Sequence, residues 1–111
     1  MPVRWTGFVL FAAAAILAAT TAGAQSISDG KAIAEVWCAD CHRVDPRERV
    51  ARDAVPSFSA IAKMKSTTGM SLAAFLTTPH GGMPNLALSR KEIADVSAYI
   101  LSLSAQRNQG Q

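Results

Sequence analysis

Cys38-Ala39-Asp40-Cys41-His42 decides the fold of this 111-residue chain. Two thiols separated by two residues and followed at once by an imidazole form the C-x-x-C-H pattern of covalent c-type haem attachment. The chemistry dictates that spacing. Haem carries vinyl groups on neighbouring pyrroles, so two cysteines on one turn of backbone each add across a vinyl to form a thioether. His42 then lies beneath the iron as an axial ligand. Two other readings of a C-x-x-C pair compete with this one. A thioredoxin-like dithiol normally sits in a β-α-β pattern, which the chain lacks, and a zinc site needs two further ligands. The composition cannot supply them, because these are the only two cysteines and the only other histidine is His80.

Upstream of the motif, residues 1–24 read as a secretory signal. Arg4 gives the positive end, Phe8 to Ala19 the apolar centre, and Ala22-Gly23-Ala24 the small-residue cleavage site. The apolar run is alanine-rich and is interrupted by Thr20 and Thr21, short of the roughly 20 residues that span a bilayer. Cleavage, a mature chain starting at Gln25 and no stable membrane insertion afterwards are therefore expected, with the periplasm as compartment. Export agrees with the motif, since c-type haem is attached on the far side of the bacterial inner membrane. The remainder, read as a domain over residues 25–104 and a flexible tail over 105–111, suffices for one small domain. A domain of that size buries little of its own surface, so an apolar haem would serve as part of its core. The formal charge of the whole chain is +3, and Arg4 is the only charged residue in the leader. So small an excess argues against nucleic acid as a partner.

The mature sequence reads as all-α. Ser28 is the expected N-cap of a first helix with Gly30, Ile33, Ala34 and Trp37 on one side. Residues 43–53 mix both charge signs and read as a solvated loop, with docking or propionate pairing by one of its arginines left open. After Pro56, residues 57–65 place Phe58, Ile61 and Ala62 at helical spacing. Another helix begins near Ser71 with Leu72, Phe75 and Leu76, and Pro79 stops it. Ser89-Arg90-Lys91-Glu92 has the form of a capping box, followed by the stripe Ile93, Val96, Tyr99, Ile100 and Leu103. The expected fold is a bundle of about four short helices wrapped around the haem.

What fills the sixth position on the iron separates carrier from catalyst. Met64, Met70, Met83 and His80 are the candidates. Met64 and Met70 flank helical segments, where methionine is most often core filler. Met83 lies in Pro79-His80-Gly81-Gly82-Met83-Pro84, a non-helical stretch with no packing stripe to explain it. The glycines there are expected to let backbone pass close to the haem face. His80 as ligand, or an open site, stays as an alternative.

The mature chain resembles a class I (mono-haem) cytochrome c of the short bacterial periplasmic type, in which a haem motif near the N-terminus is followed by a Met-Pro loop and a C-terminal helix crossing the first. That resemblance implies one covalent haem c on Cys38 and Cys41, with His42 and Met83 as axial iron ligands. It also implies that a proline carbonyl accepts the remaining N–H of His42, and Pro56 matches that position. The alternative for Pro56 is a helix-starting proline without the bond. Gly30 and Tyr99 match the family's packing of first helix against last, but Ala34 stands where an aromatic is expected. Trp37 is expected to fill that space.

The implied function is one-electron transport between redox proteins, a dehydrogenase on one side and an oxidase or reductase on the other, with no bond-making chemistry. The chain would be a monomer or a subunit of a redox complex. A dedicated subunit of one oxidoreductase and a haem sensor or enzyme with an open sixth site are the other readings. Docking candidates around the haem edge are Ala39, Asp40, Arg43, Gly81, Gly82 and Asn85, with Lys63, Lys65, Arg90 and Lys91 as a basic rim or simply solvated helix faces.

Overall fold

The computed structural model describes residues 1, 24–48 and 55–106. Residues 2–23 of the predicted leader, residues 49–53 of the charged 43–53 loop and residues 107–111 of the tail therefore lie outside the described residues. Four helices follow in order, α1 (Ile27–Trp37), α2 (Phe58–Lys63), α3 (Gly69–Thr77) and α4 (Arg90–Ala105), and no strand occurs among the described residues. The all-α expectation holds.

Each helix starts where a hydroxyl can satisfy a free backbone donor. The cap of α1 is Ser26 and not the expected Ser28, because the Ser26 hydroxyl accepts from the Asp29 N–H at 3.1 Å. Ser57 caps α2, and Thr68 caps α3 in a reciprocal box with Ser71. The predicted box at Ser89 forms: its Oγ accepts from the Glu92 N–H while the Glu92 carboxylate accepts from the Ser89 N–H at 2.7 Å. The helix it starts includes Ala105, the first residue assigned to the tail.

α4 is the spine against which α1, α2 and α3 all pack. Its predicted stripe is buried throughout: Ile93, Val96, Tyr99, Ile100 and Leu103 join Ala34, Val44, Phe58, Ala62 and Leu72 in the core. α1 approaches α4 most closely at Gly30. A Cβ there would stand 2.0 Å from the Asp95 carbonyl oxygen and 2.9 Å from the Val96 nitrogen, so only glycine permits this crossing.

That closeness corrects the reading of Trp37. Ala34 is fully buried without an aromatic beside it, and Trp37 is 56% exposed. The helices meet too closely at Gly30 and Ala34 to leave a space for an indole, which instead points outward at the end of α1. Met70 is 84% exposed and is not core filler.

Two long-range hydrogen bonds lock the frame. Tyr99 donates its buried hydroxyl to the Val44 carbonyl at 2.8 Å, tying α4 to the loop after the C-x-x-C-H motif. Tyr99→Phe strands that carbonyl beside a fully buried side chain. A loss of about 1–3 kcal/mol is expected, read as a lower urea midpoint at unchanged m-value.

At the other end Asp95, 2% exposed, accepts from the Ser26 N–H at 2.8 Å and from the Lys91 ammonium at 2.6 Å. Lys91, and with it the Ser26 N–H, hold the Asp95 carboxyl below the usual range. Asp45 is held far below that range by the Arg47 guanidinium and backbone N–H, with help from Lys31. A lowered carboxyl pKa contributes stability that is present above its unfolded value, near pH 4, and is lost as pH falls through the folded value. The melting temperature should therefore drop as pH is lowered below about 4, and less steeply in Asp95→Asn. An identical pH profile in that variant would remove Asp95 from the account.

Candidate functional site

The motif folds as a continuation of α1. The Cys38 and Ala39 N–H groups both donate to the Ala34 carbonyl, and the Cys38 carbonyl then accepts from Cys41 at 3.1 Å and from His42 at 2.8 Å. This turn gathers both thiols and the imidazole within one loop of backbone. Cys38 is buried and Cys41 exposed. Burial, with Cys41 close by, pushes the Cys38 thiol up to about 11.

His42 is fixed from behind. Its Nδ1 donates to the Pro56 carbonyl at 2.7 Å, a carbonyl being able only to accept. This bond selects the tautomer whose Nε2 lone pair is free, sets the ring plane and raises the basicity of that nitrogen. Phe58 packs on the same ring, with centroids 5.4 Å apart, and in turn meets Tyr99 at 6.4 Å. The Phe58 N–H donates to the Arg43 carbonyl at 3.0 Å, which ties α2 to the residue after the motif. Pro56 thus acts through its carbonyl, while the helix N-cap that follows is Ser57.

Cys38, His42, Met83 and His80 line one cavity of about 470 Å³ with Phe58, Ile61, Leu72, Phe75, Leu76 and Ile100. Its size and apolar walls fall in the range of cofactor sites. An apolar macrocycle with a thioether anchor and axial donors matches this residue set, so the fit to haem is good. Cys41 is not among the lining residues, and Met64 is. Among the described residues no group of three or more His, Cys, Asp or Glu side chains gathers for a metal ion, which leaves the zinc reading without support.

Met83 is presented by a tight turn. Its N–H donates to the His80 carbonyl at 2.7 Å, and the two residues form an isolated antiparallel bridge. Gly81 and Gly82 between them have φ of 49° and 81°, the left-handed region that both central positions of a type I′ turn require. That backbone conformation by itself favours glycine at both positions.

The proposed docking residues remain at the surface, with Asp40, Gly81, Gly82 and Asn85 exposed and Ala39 and Arg43 half-buried. The basic rim is not uniform. Lys91 is engaged with Asp95 and, at 3.7 Å, with Asp29.

The comparisons agree with this geometry. Residues 27–104 match the family model described as Cytochrome c. Cytochrome c-552 of Bradyrhizobium diazoefficiens is 42% identical over 84 residues, covering 76% of this chain and 81% of that protein. No solved structure matches. Among the described residues no helix is long and apolar enough to cross a membrane. A helical frame closing on a C-x-x-C-H turn, and matched along nearly the whole of that frame, has one interpretation: the chain belongs to the cytochrome c family as a mono-haem class I member, a haem-based electron carrier with covalently bound haem c.

Proposed function

We propose that this chain is a periplasmic one-electron carrier whose haem is anchored by Cys38 and Cys41 and ligated by His42 and Met83. The observation that carries the reading is the shared cavity, where a histidine fixed by a backbone carbonyl and a methionine on a hydrogen-bonded turn line the same apolar space as Cys38. When bound, the haem supplies reversible one-electron chemistry at iron.

The protein supplies the rest. His42 keeps its Nδ1 proton on the Pro56 carbonyl and offers Nε2. Met83 offers a soft thioether, which favours the ferrous state and raises the potential above that of a two-histidine site. Phe58, Leu72 and Ile100 exclude water, lowering the local dielectric. The His42 ring is held by the Pro56 carbonyl and the Met83 backbone by the His80 carbonyl, so electron gain or loss would need little rearrangement. Donor and acceptor are redox proteins that dock transiently at the surface near Cys41 and Asp40, as small interfaces suit rapid exchange. The chain therefore does no bond-making chemistry of its own.

The leader is proposed to be removed after Ala24. Intact mass of the exported protein should equal residues 25–111 plus one haem, unchanged by denaturation because both thioethers are covalent. A haem that dissociates on denaturation, or a mass retaining residues 1–24, would refute this assignment.

A further inference from the structure

His80 repeats, on a second wall of the same cavity, the device that prepares His42. Its Nδ1 lies 2.9 Å from the Thr78 carbonyl, which can only accept, so this bond also selects the tautomer with a free Nε2 lone pair. The ring is held edge-on against Phe75, with centroids 4.8 Å apart, and both residues line the cavity. His80 is further coupled to Met83 across the turn, through the 2.7 Å bond from the Met83 N–H.

We propose that His80 is a reserve axial ligand: when the Met83 thioether leaves the iron, the His80 imidazole takes the sixth position. This rests on the proposed His42/Met83 ligation. In the exchange the iron–sulfur bond opens and an iron–nitrogen bond forms. No electron moves, and no proton needs to leave, because the proton stays on Nδ1 against Thr78. Gly81 and Gly82, between the two donors, let the turn adjust without moving α3 or α4. Imidazole is a good donor to iron, and replacing Met by His lowers the potential. The exchange would withdraw the carrier from its circuit while keeping the iron closed to small ligands.

The test uses the haem-loaded protein and two variants, Met83→Ala and Met83→Ala combined with His80→Ala. In the single variant the oxidised spectrum should lose the weak far-red sulfur-to-iron band yet stay low-spin, with the electron paramagnetic resonance signature of two nitrogen axial ligands. The double variant should become high-spin and return to low-spin when free imidazole is added, which shows that its pocket persists. Carbon monoxide should bind the reduced double variant at least about tenfold more tightly than the single variant, since His80 occupies the site in nine molecules of ten or more. A high-spin Met83→Ala protein that binds carbon monoxide as tightly as the double variant overturns the reserve role while leaving Met83 as ligand. If instead the unsubstituted protein lacks the far-red band and His80→Ala alone abolishes its low-spin spectrum, His80 is the resident ligand and both assignments fall.

Discussion

Gly30→Ala is expected to lower the melting temperature by roughly 12–24 °C, although alanine is the better helix former by about 1 kcal/mol. The added methyl would lie 2.0 Å from the Asp95 carbonyl oxygen and 2.4 Å from its carbon. These are backbone atoms of α4, so no side chain can swing aside. To restore ordinary contact near 3.5 Å, α1 must move away by roughly 1.5 Å. That movement stretches the bond from the Ser26 N–H to the Asp95 carboxylate and opens the seam at Ala34. The cost is about 3 kcal/mol or more, a large share of the 5–15 kcal/mol available to a small domain. Thermal unfolding followed by circular dichroism decides the sign. A melting temperature equal to or above that of the unsubstituted protein would show that the α1–α4 crossing is looser than described.

Phe58→Ala removes the wall behind His42 and is expected to destabilise the protein by about 3–5 kcal/mol. The ring is 4% exposed and touches both His42 and Tyr99, so its loss leaves a void between the site and the core. Urea unfolding measures the energy. Phe58→Leu, which keeps most of the volume, should recover more than half of the loss. Equal damage from both substitutions would mean that the aromatic face on His42, and not filled volume, accounts for the effect.

What the sequence made legible was local. The Ser89 box and the stripe from Ile93 to Leu103 are set by contacts within four residues, and both are found in the structure. The C-x-x-C-H turn likewise carries its meaning in a few adjacent positions. What stayed hidden depends on partners far along the chain. Ser26 and not Ser28 starts α1, and Asp95, 69 residues away, holds its N–H. Trp37 shares a helical face with Ala34 on paper, but whether a space exists there depends on how closely α4 approaches Gly30. Helical spacing names a face without saying what covers it. The bond between His80 and the Thr78 carbonyl had no signal in the sequence. Nothing in the sequence distinguished it from a solvated ring.

The central claim is that the cavity closes on iron through His42 and Met83. The far-red absorption of the oxidised, haem-loaded protein tests it most directly. The band should be present in the unsubstituted protein, persist in Met64→Ala, whose sulfur lines the same cavity, and vanish in Met83→Ala. A band that survives Met83→Ala and disappears with Met64→Ala would contradict the assignment.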